Sequence, residues 1–525
     1  MRRGPDPSVV LVVCLLLALS AGVLSVWTLS LQTPFRLIDD YGAPRGIWDR
    51  SARHDLEVNV LLGGNQVRFR PTHDFGQRLA WALFGANHHW HHALRLLMKA
   101  AAFAALLATA LLHVEGSAGA RLACLPRLTI ALLAVSLFFY LPNNPEARLA
   151  PQELSTAMYF LGHLFFLFRP TQGRARARDD GLALACFALG LWSKEPNVVP
   201  GAILLALAVL EVSGRPGNLS RGRLALFVGY AGIWVHAALK VTVMTVQGGY
   251  GRPPFEWSGL VTMSRAVPRQ VLLGATAWWM PALFIAGLTS FAWRAIGHEA
   301  NRSLKRRAAL LGCLLLAALA QYLLLWSPVL RYAYPLDVVL ILLTVIGFGL
   351  LLASAPTPAA LRRRSLALSA VAAIFALGSY RDMAAQFATQ YVAGRTEAAT
   401  LERVERLIAE RPPRTVFVVM ESEYDARMSF YFNWHLPVFL GRRAAISVGR
   451  KPTDVPVGAY WVTRHDGAAG FERVVEVTPP PAPTVMALST IVSRVVRFGG
   501  AEADPLVDAG APGLPPASWF ILQRR

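Results

Sequence analysis

Two adjacent carboxylates, Asp39 and Asp40, follow directly on the first apolar run of the chain, in Leu37-Ile38-Asp39-Asp40-Tyr41. Acidic groups held at a membrane surface are costly and usually functional. A carboxylate placed there can take the proton from an attacking hydroxyl. If the leaving group is a phosphate at the headgroup level, a fixed cation screened from bulk water is the complementary requirement. Arg70, Lys194 and Arg331 meet it, each flanked by apolar or aromatic residues at the edge of an apolar run. With a single acidic pair the simplest scheme is direct displacement with inversion. The alternative for Asp39 and Asp40 is capping of an amphipathic helix after the first apolar run.

Other residues carry two readings each. Glu146 is either an orienting group or metal ligand, or a solvated loop charge; Glu195 either contributes to binding or pairs locally with Lys194 in a turn. The run His88-His89-Trp90-His91-His92 offers imidazoles to zinc. Adjacent residues on a helix point in different directions and no cysteine joins them, so the run reads as interfacial, with His92 alone aimed at a phosphate. Cys14, Cys124, Cys186 and Cys313 fall in or beside apolar runs and read as small core residues rather than a disulfide or metal framework.

The elements that must hold these groups are set by composition. Of 525 residues, 54% are hydrophobic and only 16% charged, against roughly 25% charged in ordinary soluble domains. Repeated apolar runs define a polytopic α-helical membrane protein of eleven spans, near residues 9–31, 94–113, 123–141, 153–168, 181–193, 197–212, 224–246, 271–293, 308–327, 334–354 and 365–381. Few charges are expected at mid-span, Lys240 being the main exception. The net charge of +20 lies in short arginine bursts between runs, a topology signal and not a nucleic-acid face. With the amino terminus inside as an uncleaved anchor, the bursts at 169–178, 215–223, 294–307 and 362–364 all become cytoplasmic. The first outer loop (32–93), segment 142–151, the Ser193–Pro196 turn and Arg331 then share the opposite face. After residue 381 the long apolar runs cease. A helical pattern over 397–410 and strand-like runs at 415–419, 459–463 and 519–523 predict a small α/β domain, 382–525, outside the membrane.

Five short motifs occur in order: Asp39-Asp40-Tyr41; Arg68-Phe69-Arg70-Pro71; Pro142-Asn143-Asn144-Pro145-Glu146-Ala147; Trp192-Ser193-Lys194-Glu195-Pro196; and Leu330-Arg331-Tyr332-Ala333-Tyr334-Pro335. The set resembles the membrane region of GT-C glycosyltransferases, most of all the protein O-mannosyltransferase type and its tetratricopeptide-linked relatives. The resemblance spans about residues 8–355 and implies residues 1–381 as a GT-C-like catalytic domain. It implies Asp39 as base and Asp40 as its orienter. Donor phosphate would be bound by Arg70, His92, Lys99, Lys194 and Arg331, with Glu146 and Glu195 in support or as metal ligands. Where such relatives carry Asn and His in the second span, this chain places Arg95 and Lys99. The chain shows no tetratricopeptide spacing.

The implied activity is transfer of a sugar, mannose by resemblance, from a polyprenyl-phosphate donor to a hydroxyl on the outer face of a bacterial inner membrane. The acceptor is a protein or a cell-envelope glycan or lipid. No cofactor is required by the motifs; a divalent metal is compatible with them. A transporter or flippase for a lipid-linked or anionic substrate is the competing reading, and would place polar groups near mid-bilayer.

Overall fold

The computed structural model describes residues 6–33, 70–85, 87–119, 121–140, 151–214, 221–246, 279–296, 302–324, 334–410, 416–419, 445–448, 452–463, 466–480 and 518–525. Twelve α-helices lie within them: α1 (Pro7–Gln32), α2 (Pro71–Phe84), α3 (His88–Ala118), α4 (Cys124–Tyr140), α5 (Pro151–Phe168), α6 (Gly173–Leu191), α7 (Val198–Ser213), α8 (Arg221–Val246), α9 (Trp279–Ile296), α10 (Arg302–Leu324), α11 (Tyr334–Ala353) and α12 (Pro358–Glu410). All but α2 overlap the eleven expected spans. By length and apolarity α1, α3, α8 and α11 can each cross a membrane, and α4, α5, α7 and α9 contain shorter apolar stretches.

Burial separates lipid-facing helices from central ones. α11 is enclosed over 89% of its apolar window, whereas the window in α8 is 11% buried. Leu224, Val228 and Leu239 of α8 point outward, as lipid tails require no burial of leucine. α11 packs against α3, α4, α5, α9 and α10 and so forms the axis of the bundle. Its closest approach is to α9: a Cβ on Gly347 would overlap the Gly287 carbonyl oxygen and lie 2.8 Å from the Phe291 amide nitrogen. Small residues let backbones meet this way where the hydrophobic effect gives helices no reason to associate.

One expectation is corrected. Cys14, Cys124 and Cys313 are exposed on the outside of the bundle and only Cys186 is partly enclosed; in a membrane, apolar positions face lipid as readily as core. Lys99, Glu153 and Asp337 are enclosed, the two acids in the first turns of α5 and α11 rather than at mid-span.

The basic segments gather at one end of the bundle. Arg127 at the start of α4 pairs with Glu115 at the end of α3 (2.5 Å), and Arg307 of α10 with Glu211 of α7 (2.6 Å). Arg169 and Arg178 flank buried Asp179, Arg176 pairs with Asp180, and Arg362 of α12 donates to the Ser8 hydroxyl in α1. The opposite end receives the start of α3, the start of α5 and the α6–α7 turn.

α12 runs unbroken for 53 residues through the expected boundary at 381/382. It touches β4 and β5 of a five-stranded sheet, built from β1 (Val416–Val419), β2 (Ala445–Val448), β3 (Tyr460–Thr463), β4 (Phe471–Val477) and β5 (Trp519–Arg524) in the order β2-β1-β3-β5-β4. β1 is parallel to β2 and β3, while β3–β5 and β5–β4 are antiparallel. Val455, Ala459, Trp461, Phe520 and Leu522 form its small core.

Candidate functional site

The end of the bundle opposite the arginine clusters assembles a second set of charges. α6 stops at Leu191, and a short 3-10 turn, Glu195–Asn197, reverses the chain into α7. Ser193 Oγ donates to the Leu189 carbonyl (2.7 Å), and Asn197 Nδ2 donates to the Gly190 carbonyl (2.7 Å) and to Thr156 Oγ1 on α5 (2.9 Å). This network seats Lys194 at 2% exposure. Its ammonium pairs with Glu153, in the first turn of α5, each side chain 3% exposed. Among the described residues Lys194 thus pairs with Glu153, a residue sequence reading did not single out. A carboxylate in a helix's first turn also faces the positive end of the helix dipole.

α2 docks on the same turn. The Thr72 amide donates to the Trp192 carbonyl (3.1 Å), which brings Arg70, itself buried, and His73 beside Lys194. His73 is only partly enclosed by area, yet burial and then the charges of Arg70, Arg95 and Lys194 push its imidazole down to about 3. It is neutral at physiological pH, and three cations, one just before α2, one on α3 and one in the α6–α7 turn, act on it together.

α3 supplies the rest. Asn87 caps it, its side chain accepting from the His89 amide (3.1 Å). His92, Arg95 and Lys99, at i, i+3 and i+7, share one stripe; His92 and Lys99 are buried on it, and Lys99 Nζ lies 5.7 Å from the Phe139 ring centroid. His91 is held by the Gly85 carbonyl (2.9 Å), where the chain takes φ 55°. Among the described residues no three His, Cys, Asp or Glu side chains converge as a metal-ligand set.

Of the expected site residues, Arg70 and Lys194 are buried and their charges both act on His73, with His92 and Lys99 on the helix that bears Arg95. Glu195 lies in the 3-10 turn. Asp39, Asp40, Glu146 and Arg331 lie outside the described residues. Beside Thr156 an apolar groove runs between α5, α7, α10 and α11, lined by Phe160, Leu164, Pro200, Leu314 and Val338.

No family model matches the chain, and no curated protein does. Among solved structures, ArnT from Cupriavidus metallidurans in the apo state matches with TM-score 0.46 at 14% identity, over 82% of this chain and 85% of that one. The same protein bound to undecaprenyl phosphate matches with TM-score 0.46 at 15% identity, over 85% and 92%. The Archaeoglobus fulgidus oligosaccharyltransferase, in complex with zinc and sulfate, matches with TM-score 0.41 at 13% identity, over 82% and 62%. Likeness this distant assigns no residue a role.

Proposed function

We propose that the chain is a glycosyltransferase that moves a sugar from a polyprenyl-phosphate donor to an acceptor hydroxyl at the membrane face. The observation that supports this reading is that Arg70, Arg95 and Lys194 all act on His73 at one end of an apolar bundle, beside an apolar-lined crevice between α5, α7, α10 and α11. An amphiphilic phosphate needs both. In the reaction the acceptor oxygen attacks the anomeric carbon, the bond from that carbon to the phosphate oxygen breaks, and Asp39 takes the acceptor proton. The polyprenyl phosphate that leaves gains negative charge, which Arg70, Lys194 and Arg331 stabilise. Asp40 orients Asp39, and His92 and Lys99 complete the headgroup contacts.

By motif resemblance the sugar is mannose, and Glu146 and Glu195 support the donor site or a divalent ion; residues 382–525, outside that resemblance, form a domain beyond the bilayer whose removal should alter acceptor use more than donor binding. The setting is a bacterial inner membrane with the amino terminus cytoplasmic.

Sugar transfer from a polyprenyl-phosphate donor by purified protein tests the reading. Asp39→Asn should lower turnover by roughly 10² to 10⁴, the range for a lost general base; unchanged turnover would remove Asp39 from the mechanism. One observation favours a transporter instead: Lys99 is a buried charge within the apolar helix α3, inside the span expected over 94–113, and a transporter would place such groups along its path. Uptake of donor into vesicles without sugar transfer would decide for that reading.

A further inference from the structure

Lys194 and Arg70 are both buried at this end of the bundle, and together with Arg95 they act on the His73 imidazole, so positive charge is concentrated there. At 2% exposure Lys194 has little water to screen it. An ammonium on a flexible stem in that position would swing away or lose its proton unless a fixed negative charge holds it. Among the described residues Glu153 supplies such a charge, paired with Lys194 and set in the first turn of α5.

We propose that Glu153 is a positioning residue of the donor-phosphate site, fixing the Lys194 ammonium toward the headgroup without itself touching substrate. The inference rests on the reading of the site as one for polyprenyl phosphate. Its separate content is that the effect of Glu153 on that ligand passes through Lys194. Asn197 and Thr156 tie the same turn to α5, so the backbone of the turn is held without Glu153. What the carboxylate adds is control of the ammonium.

A double-mutant cycle on full-length protein in lipid nanodiscs tests this, with polyprenyl monophosphate as the probe and melting temperature measured in parallel. Glu153→Gln, close in shape, should weaken binding roughly ten- to a hundredfold, the scale of a charge-assisted contact. In the Lys194→Gln background the same change should cost less than about twofold, since the group it acts through is gone. Glu153→Asp should recover part of the affinity. Binding unchanged in Glu153→Gln, or losses that multiply in the double variant, would overturn the inference while leaving the donor site standing. If wild-type protein does not bind the probe, the reading of function falls and this inference with it. Should Glu153→Gln fail to fold, Glu153→Asp carries the test: weaker binding at a near-native melting temperature supports the proposal, unchanged binding ends it.

Discussion

At Arg70 and His73 the chemistry of single side chains makes separable predictions. Replacing Arg70 by Gln removes a charge-assisted contact and should weaken polyprenyl-phosphate binding by roughly ten- to a hundredfold. Arg70→Lys should restore only part, because an ammonium cannot reproduce the guanidinium fork on two phosphate oxygens. His73 acts on stability. Its folded pKa, about 3, lies below the ordinary value of 6.5, so the unfolded chain binds this proton first. Stability is therefore complete above about pH 6.5 and declines as pH falls toward 3. Melting temperatures of His73→Gln should fall less steeply than wild type across that window, and parallel slopes would show that His73 is not the group responsible. Arg70 and Lys194 stand out in the sequence as cations beside apolar and aromatic residues, and the structure buries both. Glu153 does not: an acid in a helix's first turn looks like an ordinary dipole partner, and its link to Lys194 exists only once α5 lies against α6. His73 was hidden in the same way, since nothing local to α2 reveals that its start docks on Trp192.

Packing between helices sets the next level. Gly347 meets the backbone of α9 at Gly287 and Phe291, and backbone cannot rotate aside as a side chain can. Gly347→Val should therefore cost at least the 1–3 kcal/mol typical of overpacking, read as a lowered melting temperature in detergent, whereas Gly312→Ala, with open space around it, should be nearly neutral. A small effect at Gly347 would mean that α9 and α11 are not so close. The spans themselves were legible, since about twenty apolar residues between arginine bursts admit few other structures. The length of α12 was not. Charge at Arg381 and Asp382 suggests leaving the membrane, but charge does not end a helix, and the stop signal, Pro412-Pro413, comes only later. Likewise β2, four residues long, is too short to show an alternation.

The molecule as a whole has two unlike ends, one tied by arginine pairs and one that gathers Arg70, Arg95 and Lys194. If the arginine end is cytoplasmic, Ala177→Cys, exposed beside Arg176 and Arg178, should resist a membrane-impermeant thiol reagent in intact cells, and Gly467→Cys should react. The reverse pattern would invert the topology. Between bundle and sheet stands α12, whose buried stripe continues past the last span through Met383, Phe387, Val392, Thr396, Thr400 and Val404. At 53 residues it extends about 80 Å, against a hydrocarbon layer of about 30 Å. A rod with no joint is also a gauge of angle: every residue added turns whatever it carries by about 100° and advances it about 1.5 Å. One residue inserted after Ala388 should therefore rotate the sheet to the wrong bearing over the membrane. Eighteen, five whole turns, should restore the bearing but hold the sheet about 27 Å further out. The number of residues in α12, more than their identity, sets the direction in which the carboxyl-terminal sheet faces.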